Sequence, residues 1–254
     1  MEVMQVDSGK EIEEISLNQW PALSTMLYDG WLLRFADGYT KRANSISPIY
    51  ESKLALSRKI EACERIYAER ELNAIYKITP FAKPEELDRA LADRGYARVD
   101  ESIVQTLPLD RLRPPEIATV TIDEEPHSEW LYHYCAMSRV EDGKKPVMQR
   151  VLNASQAKKA YISLHQDGRI VSCGLGAIER GVIGLYDIVT DEAYRNRGFA
   201  EQMILNLLRW GKINGASKSC LAVVANNAPA IRLYAKLGYS EAYRYWYRVK
   251  SPLQ

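Results

Sequence analysis

The chain arrives at the same ending twice. Residues 87–96 read as an amphipathic helix that stops at Gly95, followed by Tyr96 and a strand-like run at 99–107. Residues 230–239 repeat the arrangement: a helix stops at Gly238, Tyr239 follows, and a strand-like run occupies 243–249. In both, the glycine suits a left-handed helix cap and an aromatic residue opens the next strand. The match extends upstream. The first half offers a strand at 73–79, a helix at about 52–68, and a hairpin running 31–35, 36–38 and 39–49. The second half offers a strand at 218–224, a helix at 198–213, and strands at 160–165, 169–178 and 182–190. Repeated element order implies a tandem duplication of one α/β unit, with the linker at 107–115, where adjacent Pro114 and Pro115 deny both helix and ladder bonds.

The halves differ where chemistry would need them to. In the second, Arg195-Asn196-Arg197-Gly198-Phe199-Ala200 joins a strand directly to a helix. Such a turn aims several backbone N–H groups at one point, and the helix dipole adds positive potential there. Arg195 and Arg197 add forked cationic donors, so a pyrophosphate is the expected ligand. In the first half, residues 47–52 stand in that place, with Pro48 lacking an N–H and no glycine present. Leu91 stands where the second half has Tyr234. The first copy therefore reads as degenerate, and one active site is expected per chain.

Composition narrows the class. With 254 residues, 46% apolar, 26% charged and a net charge of +1, the chain reads as a soluble globular protein with no bias toward nucleic acid or membrane. No apolar run approaches the roughly 20 residues of a membrane span. The first residues lack a secretory pattern, so a cytoplasmic location is expected. The four cysteines and three histidines are dispersed, which predicts free buried thiols and no metal site.

Two motifs in order carry a family resemblance. Arg195, Gly198 and Ala200 match Arg/Gln-x-x-Gly-x-Gly/Ala at a strand–helix turn. Asn227, Ala230, Leu233, Tyr234, Gly238 and Tyr239 match Asn-x-x-Ala-x-x-Leu-Tyr-x-x-x-Gly-Phe/Tyr. The second half resembles the GNAT superfamily of acyl-CoA-dependent N-acetyltransferases, and the whole chain resembles bacterial tandem-GNAT proteins. The resemblance implies an α/β (α+β) fold of two lobes, a degenerate one at 1–112 and an acetyltransferase domain at 116–254. Each would have a mixed, mostly antiparallel sheet flanked by helices.

The resemblance further implies acetyl-CoA as co-substrate and a splay between the family's fourth and fifth strands. The pantetheine arm would pair with Ile188, Val189 and Thr190, and the pyrophosphate would rest on Arg195, Asn196, Arg197, Gly198, Phe199 and Ala200. Asn227 would bond the arm, with Tyr234 near the sulfur. The implied chemistry is direct attack by a neutral amine on the thioester. A strand N–H near Val189 could serve the oxyanion. Tyr234 has an O–H able to protonate the leaving thiolate, or it simply packs in the core. The glutamate common at the start of the family's fourth strand is Val182 here. Asp187 is then either the carboxylate that meets the amine or an ordinary exposed strand carboxylate, and a water chain is a third route for the proton.

Other residues read as structural. The aromatic strand Tyr243, Tyr245, Trp246 and Tyr247 alternates, placing Tyr245 and Tyr247 on one face and Trp246 on the other. Trp31, Arg34, Arg42, Asn44 and Ser45 read as a solvated hairpin face around a buried Trp31, with lining of the inter-lobe cleft as the alternative. Residues 141–146 read as a loop between two helices, a region that, by the GNAT resemblance, borders the acceptor site. The acceptor is a small-molecule amine or a protein or peptide amine, and the chain is a monomer or homodimer. A non-catalytic acyl-CoA-binding module is the rival reading.

Overall fold

The structure, a computed structural model, describes residues 2–250, with side chains from residue 9 onward. In chain order its helices are α1 (Glu2–Gln19), α2 (Leu56–Ala68), α3 (Leu87–Asp93), α4 (Ser128–Ser138), α5 (Lys145–Ala154), α6 (Phe199–Ile213) and α7 (Ala228–Leu237). The strands are β1 (Ser24–Tyr28), β2 (Trp31–Phe35), β3 (Ile46–Ser47), β4 (Ile75–Ile78), β5 (Ala97–Pro108) and β6 (Val120–Asp123) from the first part of the chain. They continue with β7 (Lys158–Gln166), β8 (Arg169–Glu179), β9 (Val182–Thr190), β10 (Lys218–Val224) and β11 (Ser240–Val249).

All 11 strands join one sheet, in the order β1-β2-β3-β4-β11-β5-β10-β9-β8-β7-β6. The two halves trade their last strands. β11 lies between β4 and β5 of the first half, and β5 lies between β11 and β10. The central β5/β11 ladder is antiparallel from Ala97 opposite Val249 to Thr106 opposite Ser240. Outward from it the sheet reads the same both ways: an antiparallel partner (β4 or β10), a parallel one (β3 or β9), then an antiparallel hairpin (β2-β1 or β8-β7).

The repeated helix endings are built from the same bonds. Tyr96 N donates to Leu91 O and Gly95 N to Ala92 O; Tyr239 N donates to Tyr234 O and Gly238 N to Ala235 O. This is the Schellman pattern, which needs a positive φ, and Gly95 and Gly238 have φ of 82° and 96°.

Each face of the sheet carries its own core. α6 and α7 bury Phe199, Met203, Ile204, Leu207, Leu208 and Tyr234 against β7–β10. On the opposite face, α4 and α5 cover Tyr161, Cys173, Leu175 and Tyr186, while α1 lays Ile12 and Ile15 over Tyr243, Tyr245 and Tyr247. Trp246 points the other way, half-buried, with Nε1 donating to Asp88 at 2.8 Å. The alternation expected of this strand is present. All four cysteines are free and buried.

Two expectations in the first half need correction, and one hairpin has no counterpart in the sequence reading. The chain does turn at 36–38, where Tyr39 N donates to Ala36 O, and β2 then pairs antiparallel with β3, but a further hairpin turns at Asp29-Gly30 and adds β1. Tyr28 faces Trp31 across a two-residue loop whose residues have φ of 45° and 84°, the geometry that Asp-Gly favours. Of residues 39–49, only Ile46–Ser47 forms a strand. The polar residues there are not a solvated face either: Arg34, Asn44 and Ser45 are buried with Trp31. Arg34 donates to Leu17 O at 3.0 Å and Arg42 O at 2.7 Å, and Asn44 Oδ1 accepts the N–H groups of Ala36 and Gly38. Interior carbonyls and turn amides need partners, and these side chains supply them.

Candidate active site

β9 and β10 start as neighbours and then part. Their parallel pairing runs from Val182 opposite Lys218 to Leu185 opposite Leu221 and stops. Beyond it, β10 stays with β5 as far as Val224 opposite Ser102, while β9 stays with β8 as far as Thr190 opposite Ser172. Two different partners hold the strands apart, and the wedge is therefore fixed by the sheet itself. Burial changes at the same point: 182–186 are buried, whereas Asp187, Ile188, Val189 and Thr190 are half-exposed. A β-bulge sits there, with Asp187 in the left-handed region at φ 54° and the register shifting between Cys173 and Leu175. A bulge re-aims its side chain and increases local twist.

Past the strand, Asp191 Oδ1 accepts the N–H of Ala193, and a single 3-10 turn leads into residues 195–198. Asn196 and Gly198 both have positive φ (60° and 81°). Gly198 is the N-cap of α6, and no side chain caps the helix. The first intrahelical bond is Gln202 N to Gly198 O, which leaves the N–H groups of Phe199, Ala200 and Glu201 without intrahelical partners. Arg195 bonds Thr190 O through Nε at 3.3 Å, and the Arg197 guanidinium lies over Tyr194 and Phe199 at 5.2 and 5.1 Å. Both arginines are exposed at the mouth of the wedge.

α7 begins at the far side. Asn227 caps it, Oδ1 accepting from Ala230 N at 3.2 Å, so its amide nitrogen is what remains for a ligand. One helical face further on, Tyr234 is buried, edge-on to Tyr239 at 5.8 Å, and its hydroxyl has no hydrogen-bond partner among the described residues. Burial pushes its pKa up to about 12, so it keeps its proton at neutral pH.

Asp187 faces the side of the sheet opposite α6. Burial raises its carboxyl to about 6, against the opposing pull of the Arg42 charge and of the Tyr134 hydroxyl. Tyr134 approaches only loosely, for Oδ2 has no hydrogen-bond partner among the described residues. Tyr39 shares this cleft, its pKa raised first by burial and then by Asp187. Below lies Tyr186, stacked on Trp20 at 5.5 Å and donating to Gln19 Oε1 at 2.9 Å; Gln19 Nε2 in turn donates to Val182 O. Val182 is buried against α1.

The sequence motifs thus converge on one wedge, with Asp187 on one side of it and the Arg195–Ala200 turn at its mouth. Sequence reasoning missed Trp20, Gln19, Tyr39 and Tyr134, which approach from α1, the first-half loop and α4. No local motif links them to the wedge.

A family model described as "Probable histone acetyltransferase Rv0428c C-terminal" matches residues 9–248. The chain belongs to this family and, with it, to the GNAT superfamily. It is 29% identical over 252 residues to the uncharacterized N-acetyltransferase YobR of Bacillus subtilis, covering 96% of this chain and 100% of that one. A GCN5-related N-acetyltransferase from Kribbella flavida shares the fold with a TM-score of 0.69 at 16% identity, over 94% of this chain and 95% of that one. A tandem GNAT protein from the clavulanic acid biosynthesis pathway superposes with a TM-score of 0.65 at 13% identity, over 96% and 89%. The GNAT fold and the acetyltransferase class follow.

Proposed function

We propose that this GNAT protein moves an acetyl group from acetyl-CoA to a primary amine at the wedge between β9 and β10. The observation that carries the reading is the coincidence of an unpaired strand edge at 186–190 with an uncapped, glycine-led helix start at its mouth. The residues present fit the co-substrate. The N–H groups at the start of α6 suit a pyrophosphate, with Arg195 and Arg197 beside it. The free edge of Ile188, Val189 and Thr190 suits the amides of a pantetheine arm, and the Asn227 amide nitrogen can reach it from the other wall.

Bound acetyl-CoA supplies a thioester carbonyl: the amine nitrogen bonds to that carbon, the C–S bond breaks, and its electron pair stays on sulfur. Asp187 takes the proton that the ammonium must lose before attack, a role suited to a carboxyl titrating near 6. Tyr234 gives its hydroxyl proton to the departing sulfur, and the second proton, which the nitrogen sheds as the amide forms, restores the phenol. The backbone N–H near Val189 steadies the carbonyl oxygen as charge grows on it. The unspent Asp187 Oδ2 and Tyr234 hydroxyl favour catalysis over passive acyl-CoA binding.

The first half, in this reading, is a degenerate copy spanning 1–112, with the acetyltransferase domain at 116–254. Its position equivalent to the Arg195–Ala200 turn precedes α2. There the Asp29 carboxylate accepts from Lys53 N, Leu54 N and Ser52 Oγ, which puts a negative charge in the turn where a phosphate would have to sit. The test is thiol release from acetyl-CoA with an amine panel, alongside calorimetry of CoA. CoA binding without thiol release for any amine would leave the binding-module reading standing instead.

A further inference from the structure

The first half places two arginines beside the wedge, and they are used differently. Arg34 is buried and spends its guanidinium on the backbone carbonyls of Leu17, Trp20 and Arg42. Arg42, whose carbonyl is thereby held, makes no side-chain hydrogen bond and no ion pair among the described residues. Its guanidinium instead lies over the rings of Trp20 and Tyr186 at 5.4 and 5.6 Å. It is half-buried and lines a small cavity of about 30 Å³ together with Leu185, Tyr186, Leu221 and Ala222, the residues at which β9 and β10 part.

The other charges facing that cavity are already matched. Lys77 and Glu13 pair at 2.6 Å, and Tyr243 donates to Glu13 at 2.7 Å. Asp187 does not line that cavity but follows Tyr186 on β9, at the bulge where the strands part. It is near enough to Arg42 for each to feel the other's charge, yet the two form no ion pair. Tyr39, from the same loop as Arg42, feels both. A cation over Tyr186 and an anion on the next residue of β9 thus stand near each other without touching, each with hydrogen-bonding capacity unspent. Half-buried charges kept apart in this way are complementary to a ligand carrying both signs.

We propose that the acceptor is an amine that also bears a carboxylate, of the free amino-acid class, with its carboxylate held by Arg42 and its amine presented to Asp187. A polyamine or an aminoglycoside would bring further cations against the Arg42 guanidinium. A protein N-terminus would place a neutral amide where the carboxylate is wanted. The inference rests on the acetyl-transfer reading of the site, which makes Arg42 a specificity residue contributed by the otherwise degenerate half.

The test compares free amino acids with their carboxamides and with putrescine, using the full chain. Thiol release from acetyl-CoA is one readout, and calorimetric binding of each amine in the presence of CoA is the second. Amino acids are expected to exceed their amides about tenfold or more in kcat/KM and in affinity, the worth of one charge-assisted contact. Arg42→Gln should collapse that ratio toward one, and Arg42→Lys should recover part of it. Amides or putrescine used as well as amino acids, or an unchanged ratio in Arg42→Gln, would overturn the proposal. So would the absence of binding by every amino acid. Arg42-dependent amino-acid binding without thiol release would sink acetyl transfer while upholding the Arg42 assignment.

Discussion

Asp29 Oδ2 accepts the backbone N–H of Leu54 at 3.0 Å, so the turn that leads into α2 is held by a carboxylate from the chain's own hairpin. The same carboxylate meets Ser52 Oγ at 2.6 Å and the fully buried Lys59 ammonium at 3.3 Å. Its donors, Ser52 first, hold its pKa far below the carboxylate range. A lowered pKa means stability that is present above about pH 4 and lost as acid protonates the group in the folded state. Asp29→Asn is expected to lower the melting temperature at pH 7 and to flatten the acid limb of the stability profile. Calorimetric melts between pH 3 and 7 check this, and an unchanged acid limb would count against it.

Asp187 titrates in the opposite sense. Its raised pKa keeps the carboxyl protonated below about pH 6, so kcat/KM should climb through that pH and then level off. Asp187→Asn should remove the climb and cut turnover by on the order of 10²-fold. The folded state holds the extra proton between about pH 4 and 6, so the charged group costs stability above that window. The variant should therefore melt no lower than the parent at pH 8.

Tyr234 tests the acid half of the reaction. Tyr234→Phe keeps the ring and its edge contact with Tyr239 while removing the only donor. Turnover is expected to fall by on the order of 10²-fold, with acetyl-CoA affinity by calorimetry unchanged. Parent-like turnover would remove Tyr234 from the mechanism.

Charge reversal at the mouth of the wedge addresses binding alone. Arg195→Glu and Arg197→Glu should each weaken CoA by about tenfold, equivalent to about 1.4 kcal/mol. Gly198→Val should do the same by a different route, since a β-branched residue is strained at φ 81° although no atom lies within 4 Å of its Cβ. Undiminished affinity in all three would place the pyrophosphate elsewhere.

The Lys77–Glu13 pair ties β4 to α1 beneath β11 and has no exposure to speak of. Lys77→Met leaves a buried carboxylate uncompensated and should cost ~3–5 kcal/mol in a denaturant melt. Adding Glu13→Gln should recover part of that loss, because the stranded charge is then gone.

The second half was largely legible because its signals are local. A glycine with a positive φ, an N-cap asparagine and a tyrosine on the helix that this asparagine caps all leave marks in short stretches of chain. α1 was not legible, because its inward face includes Glu13 and Gln19, whose partners lie 64 and 163 residues away. β1 was missed as an edge strand with little burial and no alternation. Both Asp-Gly pairs make turns, but the first closes on the short, exposed β1, whose sequence carries no strand pattern. The sequence leaves Arg42 between a solvated hairpin face and a lining of the inter-lobe cleft, because nothing local reveals that its loop folds across to β9.

The exchange of β5 and β11 also sets the order in which the molecule can be made. While a ribosome is still producing the second half, the slot between β4 and β5 stays empty, with both ladder edges exposed. It is filled only when residues 240–249 emerge, after all of residues 109–239 have been made. Until then the first half is an unfinished sheet, open to pairing with neighbouring nascent chains. Expression at slow translation rates or with chaperone support should therefore change the soluble yield of this protein more than its measured stability would suggest.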